Sequence, residues 1–376
     1  MDVRAFGSSR GKAPERPHAH IPLVLLIVVY TIDFFGRTWY TSSVEKRIIK
    51  MGNEEANMVS ILLSVLGQRG VDALAFLLAF VLTALLTNLF RGRLPQDHGR
   101  AFAVDGALSK GKARGAGLIF VLCVVLVALA FMPFHLETLI YMVLLIASML
   151  SGYLDDASDT AWNEYKKGLI DFVIAVVAGV TYLNFNGCGV RFLQWYFVLP
   201  YPVYLLLIVI LIWASINVVN CTDGVDGLSA SLAVVSMGTF ALLYADQLAS
   251  YVTATAVFVG ALLAYLWVNA KPSTVLMGDA GSRAMGFFLA LLALKSAHPF
   301  AFLLAAAVFI VDGSLGIVKI SLKRFLHISV LKNTLTPLHD HARKRLGWSD
   351  EQVVLRWVIL QGVASAVLAA VAGFGM

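Results

Sequence analysis

Charge is scarce in this chain. Asp, Glu, Lys and Arg supply only 14% of its 376 residues, while 59% are hydrophobic and the mean hydropathy is +0.80. So little charge cannot cover a soluble surface, so the bilayer is the expected solvent. Cysteine is scarce too: Cys123, Cys188 and Cys221 are widely separated, which fits neither a disulfide framework nor a zinc site. No Gly-x-x-x-x-Gly-Lys-Ser/Thr loop is present, which argues against an ATP-driven pump. The alternating pattern of barrel strands is also missing, so helices must satisfy the backbone within lipid. The expected fold class is all-α, a polytopic integral membrane protein. A net charge of +6 would point a soluble domain toward nucleic acid. Here the Lys and Arg residues sit mostly in loops between apolar runs, where topology and anionic lipid account for them, and no nucleic-acid partner is expected.

A first apolar run covers residues 20–36, behind Arg4, Arg10, Lys12 and Arg16. No clear small-residue cleavage site follows it, so it reads as a retained anchor. Residues 37–70 mix charge with the apolar stretch 58–66, the pattern of an interfacial helix, and 1–70 form an N-terminal extension to a membrane-embedded domain at 71–376. Ten further apolar runs fall at about 71–90, 115–133, 137–154, 168–184, 201–219, 226–244, 251–269, 284–298, 299–320 and 353–374. Counted from the second run, the loops 91–114, 155–167, 220–226, 270–283 and 321–352 share one face. They carry most of the loop cations, among them Arg91, Arg93, Lys110, Lys112, Arg114, Lys167, Lys323 and Arg343, so that face is expected to be cytoplasmic.

The same loops hold the polar groups that can carry chemistry. Between two membrane-length runs the chain reads Asn217-Val-Val-Asn220-Cys-Thr-Asp223-Gly-Val-Asp226-Gly-Leu-Ser229. If its first turns are helical, Asn217, Asn220 and Asp223 lie along one stripe, and Gly224 and Gly227 let the backbone bend closely around a ligand. The density of polar groups favours a phosphate and metal floor over a capped turn. Asp155 and Asp156 stand adjacent at the end of an apolar run, where two carboxylates need a metal, a cation or a raised pKa to coexist. Asp279 sits between small residues that expose its carboxylate, which suits a hard cation such as magnesium; alone, it would read as the N-cap of a helix beginning near Ser282. The segment 105–117, with Lys110, Lys112 and Arg114 among four glycines, can hold phosphate or serve only as a positive-inside loop. His339 and His341 lack a defined third metal ligand and lie beside cations, which fits diphosphate recognition better than a metal pair.

These segments occur in one order: Leu154-Asp155-Asp156, Asn220-Cys-Thr-Asp223-Gly-Val-Asp226-Gly-Leu228, Met277-Gly-Asp279-Ala-Gly-Ser282 and Pro337-Leu-His339-Asp-His341. In this the chain resembles the polyprenyl-phosphate N-acetylhexosamine-1-phosphate transferases over about residues 71–376. After the histidines, the run from Leu346-Gly-Trp348 to Arg356-Trp357 is similar to the branch that uses a peptide-bearing donor. The resemblance implies transfer of phospho-MurNAc-pentapeptide from UDP-MurNAc-pentapeptide to undecaprenyl phosphate, with Mg2+ as cofactor, in the bacterial inner (plasma) membrane and with a cytoplasmic site. It further implies Asp155, Asp156 and Asp279 as catalytic residues, Asp279 holding the metal. Lys110, Lys167, Asn220, Asp223, Asp226, Asn269, His339 and His341 are implied as substrate-binding, and a homodimer is among the assemblies it allows. The chain departs from the family pattern at 113–117, which replaces Pro-Thr-Met-Gly-Gly, at Asp159, where a lysine is usual, and at Asp340, where the family has histidine. Two rivals are a sister transferase using UDP-N-acetylglucosamine, opposed only by the segment 337–357, and a secondary transporter, which would need mid-membrane polar sites and internal repeats that the sequence does not display.

Overall fold

The computed structural model describes residues 58–97, 110–158, 160 and 162–373. The expected anchor at 20–36 and Asp159 lie outside the described residues. The chain divides between Val65 and Leu66 into two units, and the site lies wholly in the second.

Each of the ten later apolar runs lies on helix. The helices are α1 (Met58–Phe90), whose backbone leaves helical dihedrals at Gly67, α2 (Gly117–Phe131), α3 (Leu136–Asp156), α4 (Glu164–Asn186), α5 (Tyr201–Thr222), α6 (Leu228–Leu243), the one-turn α7 (Ala245–Leu248) and α8 (Tyr251–Asn269). They continue with α9 (Gly278–Lys295), the one-turn α10 (Phe302–Ala305), α11 (Ala307–Phe325), the short α12 (Leu338–Lys344) and α13 (Asp350–Gly373). Strand β1 (Ala113–Arg114) pairs in parallel with β4 (Val275–Leu276), and β2 (Gly189–Phe192) forms a hairpin with β3 (Trp195–Val198). Among the described residues, six helices are long and apolar enough to cross a membrane, or seven if the bent pair α10 and α11 counts as one span; α2 and α6 are shorter apolar helices. The protein is a polytopic helical membrane protein.

The run at 299–320, expected as one span, is broken: α10 and the following helix meet at 87°. No proline or glycine marks the break. The sequence conceals it because the freed backbone groups find a partner far away in the chain. Gln361 of α13, fully buried, donates from Nε2 to the carbonyls of Leu304 (3.0 Å) and Ala305 (2.9 Å) and accepts the Val308 N–H on Oε1 at 3.1 Å. One amide thus satisfies three orphaned groups inside an apolar environment, where each would otherwise be costly.

Helix α9 is the hub. Every residue from Gly278 to Leu294 is buried, and the helix packs against α2, α3, α5 and α6. Such proximity needs small residues at the crossings. A Cβ on Gly152 of α3 would lie 2.5 Å from the Ala280 nitrogen and closer still to the Asp279 carbonyl; one on Gly117 of α2 would lie 2.7 Å from the Ala280 carbonyl carbon. The head of α9 is therefore held between two glycines, and this fixes where Asp279 stands.

Candidate active site

Helix α9 begins at Gly278, earlier than the sequence suggests, so Asp279 lies in its first turn and is not an N-cap. The cap comes from another helix. Gly278 takes a positive φ of 67°, and the Asp279 N–H donates to Asp156 Oδ2 at 2.7 Å. This bond ties the end of α3 to the start of α9 and brings Asp155, Asp156 and Asp279 together, with one carboxylate oxygen of each within 4.8 Å of the others.

Two cations offset these three carboxylates. Lys167 of α4 forms an ion pair with Asp155 and reaches Asp279 Oδ2 at 3.4 Å. Arg114 of β1 sets Nη2 at 2.7 Å from Asp156 Oδ1 and 3.6 Å from Asp279 Oδ1, and Nη1 at 3.2 Å from Asp97. Burial works against the Arg114 charge, but Asp156, Asp279 and Asp97 outweigh it and hold its pKa above the ordinary value, so the guanidinium stays charged. The other Asp155 oxygen accepts the Trp162 N–H at 2.8 Å, and Asn220 at the end of α5 donates to Ser282 Oγ at 2.9 Å.

The donor set fits a hard divalent cation. Asp156 Oδ1 is buried without a well-aligned hydrogen bond, even though Arg114 is near. Magnesium–oxygen bonds of about 2.1 Å put two ligands of one ion at most about 4.2 Å apart, so a spread of 4.8 Å asks only for a small contraction or a bridging water.

Beside this cluster opens a cavity of about 490 Å³. Arg114, Asn220 and Gly278 belong to its wall and connect it to the carboxylates. Asp223, the C-cap of α5, lines it, as do Asp226, Asn269 and His339. Lys112 Nζ spans the wall, bonding Asp226 Oδ2 at 3.1 Å and Ser273 Oγ at 2.7 Å. Asn269 braces a turn: Oδ1 accepts the Gly227 N–H at 2.8 Å and Nδ2 donates to the Val275 carbonyl at 2.9 Å. Asp340 lines the cavity 3.9 Å from Arg343 Nη1, and Arg343 Nε pairs with Asp350 at 2.5 Å. An anion at position 340 is thus offset by Arg343.

Three sequence candidates stand elsewhere. Lys110 is exposed and lies outside the cavity wall, where Lys112 takes the corresponding place. His341 is also off the wall, with Nδ1 accepting the Leu335 N–H at 3.2 Å. Asn217 shares a helix face with Asn220 but is off the cavity wall, and donates to the Trp213 carbonyl at 2.8 Å. Sequence reasoning left out Asp312, which holds His339, and the buried ion pair of Asp171 with Arg283, whose Nη2 lies 3.5 Å from the Lys167 carbonyl. The signal was present: Asp171 and Asp312 are each a lone charge inside an apolar run, and Arg283 stands at the edge of one; such charges need a partner.

Residues 138–297, which hold the acidic cluster at the hub of the bundle, match the family model described as glycosyl transferase family 4. The chain is 44% identical over 295 residues to the phospho-N-acetylmuramoyl-pentapeptide-transferase of Treponema pallidum, covering 72% of this chain and 80% of that protein. It is 29% identical over 313 residues to the enzyme of that name from Bartonella quintana (73% and 85% covered) and 28% identical over 324 residues to that from Halalkalibacterium halodurans (79% and 95%). The chain belongs to the phospho-N-acetylmuramoyl-pentapeptide-transferase family.

Proposed function

We propose that the chain transfers phospho-MurNAc-pentapeptide from UDP-MurNAc-pentapeptide to undecaprenyl phosphate, releasing UMP and leaving a lipid-linked diphosphate, lipid I. The observation that carries this reading is the meeting of Asp155, Asp156 and Asp279 with Lys167 and Arg114 beside a polar cavity, in a chain of this family. An oxygen of the acceptor phosphate attacks the sugar-side phosphorus of the donor; the bond from that phosphorus to the bridging oxygen breaks, and its electron pair leaves with UMP. The reaction gathers several negative charges, so the work is positioning and charge neutralisation.

Asp155 takes the proton of the acceptor phosphate. Lys167, paired with both Asp155 and Asp279, offsets the repulsion between these carboxylates and lies where the incoming phosphate needs a cation. Asp279, with help from Asp156, is the ligand for magnesium, which when bound neutralises oxygens of the donor diphosphate. Asn220 and Asp223 position that diphosphate from the end of α5. Asp226 with Lys112 and the turn braced by Asn269 shape the cavity for the rest of the donor, and His339 on the same wall steadies a phosphate of the diphosphate. The face bearing the site is the cytoplasmic one, consistent with the loop cations that surround it, and the membrane is the bacterial plasma membrane.

UMP release measured in detergent with undecaprenyl phosphate and magnesium tests the reading. UDP-MurNAc-pentapeptide should be consumed and UDP-N-acetylglucosamine ignored, by a factor on the order of a thousandfold, because polar groups built for one donor are left unpaired by the other. Comparable turnover of the two would assign the chain to the sister transferases.

A further inference from the structure

His339 is 2% exposed, and its surroundings are specific. Its ring Nδ1 lies 2.7 Å from Asp312 Oδ2, and its backbone N–H donates to Asp312 Oδ1 at 2.7 Å. Asp312 Oδ1 also accepts the indole N–H of Trp357 at 3.3 Å. One carboxylate on α11, itself 1% exposed, therefore grips both the backbone and the ring of His339 on α12 and the Trp357 side chain of α13. The opposite ring edge meets the cavity wall: a Cβ on Gly224 would collide with His339 Nε2, and both residues line the cavity. Among the described residues Nε2 takes no protein hydrogen bond, and it is open to the cavity.

We propose that Asp312 is a positioning residue for the transfer reaction: it fixes the His339 ring so that Nδ1–H is donated to its own carboxylate and Nε2 is the atom offered to a phosphate of the donor. This rests on the proposed reading of the site. Nothing but Gly224 can stand opposite, because any side chain there would occupy the place of Nε2. With a phosphate on Nε2 the ring carries both protons, and the Asp312 carboxylate supplies the balancing charge in a buried setting. Trp357 adds the third constraint, since a carboxylate bonded on both oxygens has little freedom to rotate away.

Asp312→Asn is a near-isosteric test. Its Oδ1 can still accept from the His339 backbone and from Trp357, so the fold is kept. Its amide nitrogen replaces Oδ2 and faces Nδ1 as a donor, which moves the ring proton to Nε2 and removes the charge that supports a second one. Asp312→Asn should lower kcat/KM by about 10- to 100-fold at an unchanged melting temperature, the range seen when the carboxylate behind a ligand-holding histidine is removed, and Asp312→Glu should recover part of the loss. In 15N spectra of labelled protein with UMP bound, His339 should carry protons on both ring nitrogens in the parent and on Nε2 alone in Asp312→Asn. His339→Ala should lose activity, and adding Asp312→Asn to it should cost nothing more. Additive losses in the double variant, or full turnover by Asp312→Asn where His339→Ala is impaired, would overturn the inference while leaving the function intact. Full turnover by His339→Ala would instead refute the role given to His339 in the proposed function.

Discussion

Gly152→Ala should slow the enzyme without touching a polar group. Gly152 is in the last turns of α3, and its missing side chain admits the head of α9. A Cβ there would lie 2.5 Å from the Ala280 nitrogen, whereas ordinary contact begins near 3.4 Å. The neighbour is backbone on a helix buried on all sides, so no side chain can swing away. The two helices must separate by about 1 Å, at the cost of about 1–3 kcal/mol typical of overpacking. That movement carries Asp279 away from Asp155 and Asp156, and misplacement of a reacting group by about 1 Å costs on the order of a hundredfold in rate. Purified Gly152→Ala should therefore unfold at a lower temperature and release UMP about a hundredfold more slowly. Gly238→Ala is the control: nothing lies within 4 Å of a Cβ there, and mid-helix α6 accepts alanine, so its stability should hold or rise by about 0.5 kcal/mol and its rate should not change. A Gly152→Ala protein with the parental rate would refute the claim that glycine contacts set the geometry of the cluster.

Other changes test separate parts of the site. Arg283→Met leaves Asp171 buried and unpaired, and should destabilise the protein by about 3–5 kcal/mol in thermal or denaturant unfolding; the double change Asp171→Leu with Arg283→Met should restore most of that loss. Lys167→Met removes the cation between Asp155 and Asp279, and UMP release should fall by about a hundredfold with a smaller change in donor affinity. Lys112→Met unties Asp226 from Ser273 on the cavity wall, so it should raise the KM for the donor by about tenfold while kcat changes less, read from steady-state kinetics.

Much of this was legible in the residues. Apolar runs of membrane length specify helices because lipid offers the backbone no other partner, and all ten later runs lie on helices. Asp155, Asp156 and Asp279 were readable as site candidates because carboxylates next to apolar runs need a reason to be there. What the sequence hid depends on contacts across long separations. Nothing near residue 306 announces a break, since the compensation sits in Gln361. That the head of α9 is capped by Asp156, a residue of a different helix, could not be read from the residues around Asp279. Arg114 read as one of several loop cations, and only the pairing of β1 with β4 carries it to the carboxylates. Lys110 and Lys112 are indistinguishable by composition, and the fold alone separates them.

The most direct test of the account is UMP release by Asp279→Asn against a magnesium titration, with metal binding followed in parallel by manganese as a paramagnetic substitute. The parent should need the metal for turnover and bind it at one site. Asp279→Asn, with the shape of the side chain kept and its charge removed, should insert and fold normally, bind manganese at least about tenfold more weakly and lose nearly all turnover. Parental activity in a correctly inserted Asp279→Asn protein, or metal binding unchanged by the substitution, would contradict the assignment of the acidic cluster at the head of α9 as the catalytic centre.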